Sequence, residues 1–500
     1  MEMKLRNRIV AWFLTICLSV TLIPNMGHAE EADKAKEAPK KQEAVREEDV
    51  TEEDVIEKTE TTTTYDLGGG EKMAVFHGGS VRYRDDSGKL VDYDSSLVAI
   101  DSGEKTIQDE SLEDYAYQNR QGDKKQYMPE TLSEDTPILL EKDSHRIEIA
   151  HAAESLEEME LAEETVEVQK ETIPAIYEEE AEVPINAVYG DEKAPVFITY
   201  TSGENGIKET MTLNEKPQSN VFRYKLNTGE LRAKKNATNE GITIYDEESE
   251  EIVAAIAPPW MNDATGEAYS EEITYQLSQE GSEPGEYVLT MTIDEDYLSD
   301  KERKYPVTVD PTATWKGSSQ IRDVYVISGT YANTNFYDSG TVVMPAGKNS
   351  TGTHETYVQF VNLKNTVAGK NVTSATFSAY EMSGGANGQK VSAFKVNGSW
   401  TPSTLKYSNR PACASSAMAT ITTQPAAVEH KFNVLSYVKG IAGSAADYGI
   451  ALKNTTASPS YAVFFGSRSS STAYLPKLTV VYSNEPTAPT GAAVSPAYVK

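Results

Sequence analysis

The chain has 500 residues, a formal charge of −31 from 46 basic and 77 acidic side chains, and only 39% hydrophobic content. That length exceeds a single ordinary core, and the acidity excludes nucleic acid as the main partner. The charge is uneven: residues 312–484 hold 14 basic and 6 acidic side chains, which leaves −39 for the 311 residues before them.

Residues 1–29 read as a cleaved signal peptide. Lys4, Arg6 and Arg8 form the basic start, residues 9–23 the apolar stretch, and Gly27 and Ala29 the small residues of the cleavage site. The apolar run is short for a membrane span, and no later segment offers one. Export leaves Cys413 as the lone cysteine of the mature chain, because Cys17 lies in the leader, so no intramolecular disulfide can form.

Residues 30–60 are almost entirely Glu, Lys, Asp, Ala, Thr and Val, and are read as a disordered acidic spacer. Residues 61–311 form a β-rich region. Short alternating runs at 73–76, 80–83, 90–93, 197–200, 221–226, 242–245 and 287–291 are separated by Gly, Asp and Ser turn signals. A Glu-rich stretch at 151–182 interrupts it and reads as an acidic insertion. Trp260, in Pro258-Pro259-Trp260-Met261, is read as packing over a sheet end, with a sugar platform as the rival reading.

Residues 312–484 carry the clearest pattern. Tyr357-Val358-Gln359-Phe360, Ala375-Thr376-Phe377-Ser378-Ala379-Tyr380 and Lys390-Val391-Ser392-Ala393-Phe394 alternate apolar with small polar residues. This predicts short antiparallel strands, each with one buried face. The fold class expected for the whole chain is all-β, ending in a jelly-roll-like antiparallel β-sandwich. Residues 485–500 are a Pro/Thr/Ala linker.

No catalytic signature is present: there is no G-x-S-x-G elbow, no P-loop and no H-E-x-x-H. The histidines after the leader, at 77, 145, 151, 354 and 430, have no ligand spacing. The chain is therefore read as non-enzymatic and without a cofactor. The acidic first half still leaves room for a polysaccharide-degrading carboxylate pair as a rival. Two loops of the last domain mix aromatic, amide, hydroxyl and guanidinium groups, the combination a sugar needs for its apolar face and its hydroxyls. Tyr331 and Phe336 lie in one, and Trp400, Tyr407 and Arg410 in the other. These five are the candidate carbohydrate-binding residues; the competing reading makes Trp400 and Phe336 core plugs. Asp323 is a candidate ligand for a structural calcium.

The final domain resembles the DNRLRE family, grouped as family 96 of the carbohydrate-binding modules. The likeness rests on Asp323-Val324-Tyr325-Val326, on Glu355-Thr356-Tyr357-Val358-Gln359-Phe360, and on Gly398-Ser399-Trp400-Thr401-Pro402-Ser403-Thr404-Leu405-Lys406-Tyr407-Ser408-Asn409-Arg410-Pro411. The region before it resembles the N-terminal part of Rhs/YD-repeat and wall-associated proteins of Firmicutes, through Val81-Arg82-Tyr83-Arg84-Asp85 and Tyr305-Pro306-Val307-Thr308-Val309-Asp310-Pro311. The first resemblance implies a polysaccharide partner and not nucleic acid, and the basic charge of the domain points to an anionic wall or matrix glycan. The second implies an extracellular, cell-wall-associated setting. The alternative to a glycan-binding module is a ligand-free structural spacer at the start of a larger surface protein.

Overall fold

A computed structural model describes residues 46–100, 112–162, 186–236, 240–265, 268–280, 284–315, 321–337, 343–382, 388–424, 428–456 and 460–484. The signal peptide, most of the 151–182 insertion and the 485–500 linker lie outside the described residues. Among the described residues no helix is long and apolar enough to cross a membrane. The architecture is all-β, as expected, and is built from two sandwiches.

In the first sandwich an eight-stranded sheet runs in the order Ile273–Gln279, Glu286–Ile293, Val221–Asn227, His145–His151, Ile138–Lys142, Lys124–Pro129, Tyr115–Gln121, Asp94–Ala99. It packs against a sheet whose centre is Gly206–Leu213, bonded to Val196–Gly203 on one side and to Val307–Asp310 and Thr312–Trp315 on the other. Alternation decides the faces. In Glu286–Ile293, residues Tyr287, Leu289, Met291 and Ile293 point inward, and the residues between them are less buried. One core joins the two layers, with Met128, Ile138 and Leu140 from the first meeting Ile198, Ile207 and Met211 from the second.

The second sandwich departs from chain order. Its six-stranded sheet runs Val55–Lys58, Thr62–Gly68, Glu71–His77, Lys477–Ser483, Asn371–Tyr380, Glu429–Asn433. From Val55 the chain thus runs first in this sandwich, crosses to build the other, and returns to complete this one. Glu71–His77 pairs in unbroken antiparallel register with Lys477–Ser483, from Glu71 opposite Ser483 to His77 opposite Lys477. Met73, Ala74, Val75 and Phe76 are all essentially inaccessible to solvent. Ala74 and Phe76 share a core with Phe377, Leu478 and Val480, and with Val358, Phe360, Leu452 and Phe464 of the facing sheet.

Two expected boundaries are therefore corrected. Residues 46–60 are not a disordered spacer throughout: two short 3-10 turns and the strand Val55–Lys58 lie within them, and Lys58 pairs with Glu52 at 2.8 Å. Residues 312–484 are not the whole of the final sandwich. Three strands from residues 55–77 complete one of its sheets, while Thr312–Trp315 belongs to the first sandwich. A pattern of local alternation reports that a segment is a strand, but carries no information on a partner 400 residues away.

The two sandwiches meet where the hairpin around Gly203 and Gly206 touches the loop after Phe465. The Asn205 N–H donates to the Ser470 carbonyl at 2.9 Å, and the Thr472 N–H donates to Glu204 Oε2 at 2.7 Å. Gly203 is required by this close approach, since a Cβ there would stand 2.4 Å from the Ser470 carbonyl oxygen.

Candidate functional site

Between the sandwiches lies a cleft of about 810 Å³. Aromatic side chains stand on both of its walls. Trp260 comes from the strand Trp260–Asp263 at the end of the first sandwich, and Tyr269 stacks on it with ring centroids 5.7 Å apart and planes 25° apart. Tyr269 faces Tyr461 of the second sandwich at 6.5 Å, and Tyr461 meets His354 edge-on at 5.0 Å. Tyr325 and Tyr331 continue the lining. Tyr461 reaches the cleft because its strand, Ser460–Phe465, turns Ala462 and Phe464 into the core, which sends Tyr461 to the other face. Trp260, Tyr269 and Tyr461 are all half-buried, so each keeps an accessible part.

The polar groups of the cleft are fixed from both sides. Glu271 Oε1 accepts hydrogen bonds from the Tyr269 hydroxyl at 2.9 Å and the Tyr461 hydroxyl at 3.0 Å. Glu271 stays open to solvent, and the partial desolvation of its carboxyl by the protein around it pushes the pKa up, against the pull of the two hydroxyl donors. Lys208 lies between Asp310, at 3.2 Å, and the face of Trp260, at 5.6 Å. His354 is buried, and desolvation lowers its pKa to about 4, so it is neutral near pH 7.

The five residues singled out in the sequence do not form one site. Tyr331 is 36% exposed and lines the cleft. Phe336 is 1% exposed and stacks under Tyr325 at 4.8 Å. Trp400 is 8% exposed, packs edge-on against Tyr357 at 5.8 Å, and donates its Nε1 hydrogen to the Tyr448 carbonyl at 2.8 Å. Both are core plugs, because a ring whose faces are covered by protein offers no platform for a sugar. Tyr407 and Arg410 sit on the same loop as Trp400. The Arg410 guanidinium lies 3.4 Å from the centroid of the Tyr407 ring and pairs through Nε with buried Glu355 at 3.0 Å. Lys453 also reaches Glu355, at 2.9 Å. This loop covers the outer face of the sheet over Val324, Val326 and Tyr357, so its polar groups fasten a lid of core.

The calcium reading of Asp323 gains no support. Its two carboxylate oxygens accept from the Ser467 N–H at 2.8 Å and the Ser467 hydroxyl at 2.5 Å, and burial raises its pKa. Among the described residues no group of three or more His, Cys, Asp or Glu side chains is placed to hold a metal. The residues that sequence reasoning passed over are Tyr269, Glu271, His354 and Tyr461. The available signal was Trp260, which follows Pro258 and Pro259 and stays half-buried.

The described residues thus form two β-sandwiches with aromatic side chains on both walls of the cleft between them. Residues 314–482, roughly a third of the chain, match the family model of carbohydrate-binding module family 96. The chain is also similar to the tRNA nuclease WapA of Bacillus subtilis (strain 168), 30% identical over 273 residues, and to the tRNA3(Ser)-specific nuclease WapA of Bacillus spizizenii, 29% identical over the same length. Each alignment covers 51% of this chain and 11% of the relative, so the chain spans about a tenth of those proteins. A solved exo-β-1,3-galactanase of Phanerochaete chrysosporium with β-1,3-galactotriose overlaps 82% of this chain and 99% of its own, at 7% identity and a TM-score of 0.10, and bears on neither fold nor function here.

Proposed function

We propose that this is a secreted, cell-surface, non-enzymatic protein that binds polysaccharide in the cleft between its sandwiches. One observation carries the reading: the row Trp260, Tyr269, Tyr461 lines an open cleft beside the domain that matches a carbohydrate-binding family. Half-buried aromatic faces bind the C–H faces of pyranose rings, and the amides and hydroxyls of Asn349, Ser350 and Thr351 nearby serve the sugar hydroxyls. The basic surplus of residues 312–484 and the apolar run at residues 9–23 support an exported protein working at a glycan-rich surface. Nuclease activity belongs to the names of the WapA relatives and is not carried to this chain.

The test is binding of the full chain to a panel of purified polysaccharides by affinity electrophoresis, with Trp260→Ala as control. Retardation by at least one glycan, lost in Trp260→Ala, supports the reading. Binding untouched by that substitution places the site elsewhere, and no retardation by any glycan removes the function.

A further inference from the structure

The strand Ser460–Phe465 brings a second ring to the cleft besides Tyr461. Ala462 and Phe464 turn into the core, so Tyr461, Val463 and Phe465 share the opposite face. Tyr461 and Phe465 both line the cleft. Four residues of extended chain set them about 13 Å apart. On the neighbouring strand Val343–Asn349, Val343 lies opposite Phe465 and Pro345 opposite Val463, and both line the same wall. The wall is thus continuous from Tyr461 to Phe465.

A second group of rings begins at Phe465. Tyr474, from the 3-10 turn Thr472–Tyr474, stacks on Phe465 with centroids 4.7 Å apart and planes 15° apart. Tyr380, the last residue of the strand Asn371–Tyr380, meets Tyr474 at 4.8 Å. All three rings are half-buried, as Trp260, Tyr269 and Tyr461 are, and unlike the plugs Trp400 and Phe336. Phe465, Tyr474 and Tyr380 fall within residues 314–482, which match the carbohydrate-binding family, whereas Trp260 and Tyr269 fall outside them. The accessible rings therefore form two groups joined by one strand.

Resting on the cleft as the glycan site, we propose that Phe465, Tyr474 and Tyr380 form a further subsite, and that the protein therefore takes long linear polysaccharide chains in preference to short oligosaccharides. A short oligosaccharide seated on Trp260, Tyr269 and Tyr461 stops before it reaches Tyr474. A chain that reaches both groups makes the second encounter intramolecular, and gains an affinity that neither group gives alone. Stacking asks only for the C–H face of a pyranose, so the length requirement holds for charged and neutral chains alike.

The experiment is calorimetric titration of the full chain with oligomannuronates and laminari-oligosaccharides of four and of twelve residues, in parallel with Tyr474→Leu, Tyr380→Leu and Trp260→Ala. For the backbone that binds, the twelve-residue chain should be held about a hundredfold more tightly than the four-residue one, of which about tenfold is the statistical gain of the extra registers on a longer chain. Tyr474→Leu keeps apolar bulk and removes the ring; it should bring the ratio down to that statistical gain and leave the four-residue affinity unchanged. Tyr380→Leu should lower the ratio in the same direction, and decides the matter where Tyr474→Leu does not fold. Trp260→Ala should weaken both lengths. A ratio that both leucine variants leave intact means that the second group only fastens its loop to the sheet, and overturns the subsite. A parent ratio of about tenfold overturns it as well; the cleft stands as the glycan site in either case as long as Trp260→Ala loses binding. Binding of both lengths that survives Trp260→Ala, or no binding in any arm, overturns the cleft reading and the subsite with it.

Discussion

The hydroxyl of Tyr461 donates to Glu271 Oε1 at 3.0 Å, a single bond between residues 190 positions apart and on different sandwiches. It ties the cleft's acceptor to the cleft's far wall. Tyr461→Phe removes this donor and keeps the ring. Water can reach Glu271 and replace the lost bond, so the folding cost should stay near 1 kcal/mol, a fall of about 2–4 °C in melting temperature. Glycan affinity should fall more steeply, about tenfold, because Glu271 is left with one orienting donor instead of two. Calorimetric titration beside a thermal melt separates the two effects; equal losses in both would mean that the bond serves folding alone.

The two tryptophans should behave as opposites. Trp400→Ala empties a packed position against Tyr357 and strips the Tyr448 carbonyl of its donor. The expected cost is about 3–5 kcal/mol of stability, with affinity of the remaining folded protein unchanged. Trp260→Ala removes a half-buried cleft ring and should lose binding with a melting temperature within a few degrees of the parent. A binding defect in Trp400→Ala at a temperature where it is fully folded would restore that loop as a contact surface.

How much of this was legible in the sequence depends on range. Strand character was readable residue by residue, because alternation in runs such as Tyr287, Leu289, Met291 and Ile293 records burial on one face directly. The placement of Met73–Phe76 was not, because a fully buried strand has no polar face to mark its partner, and its partner is the last strand of the domain. The same limit applied to the site. Trp400 and Trp260 each sit among Pro and small polar residues, and only the tertiary contact with Tyr357, or its absence, tells plug from platform. Glu271 was one acid among many until two tyrosines from opposite sides converged on it.

A fragment limited to residues 312–484 should not fold as a soluble unit. It lacks Glu71–His77, so one edge of Lys477–Ser483 has unpaired N–H and C=O groups, and Leu478 and Val480 lose the cover of Phe76 and Ala74. An exposed apolar edge strand pairs with copies of itself. Size-exclusion chromatography should show aggregates for 312–484 and a monodisperse species for 46–484. Within the full chain, Phe76→Ala should cost about 3–5 kcal/mol in urea unfolding. A monodisperse, cooperatively melting 312–484 fragment would show that the first strands are dispensable.

Opposite pH responses are expected from two groups of the cleft. His354 is buried, and its folded pKa is about 4, below the unfolded value of 6.5. Between those values the unfolded chain binds the proton more readily, so the stability present above pH 6.5 is lost as the pH falls towards 4. The loss amounts to about 3 kcal/mol at 1.36 kcal/mol per pH unit. His77, with its pKa lowered to about 3 by burial, adds a loss of the same sign that extends further into acid. Glu271 works the other way. Its folded pKa lies above the unfolded 4.5, so the folded state takes up the proton first, and stability falls as the pH rises through that window. The comparison is between each variant and the parent in urea melts from pH 4 to 7.5. His354→Gln should flatten the acid loss relative to the parent. Glu271→Gln should gain on the parent as the pH rises, because its side chain no longer ionises. A Glu271→Gln difference that is constant with pH would mean that water screens this carboxyl fully.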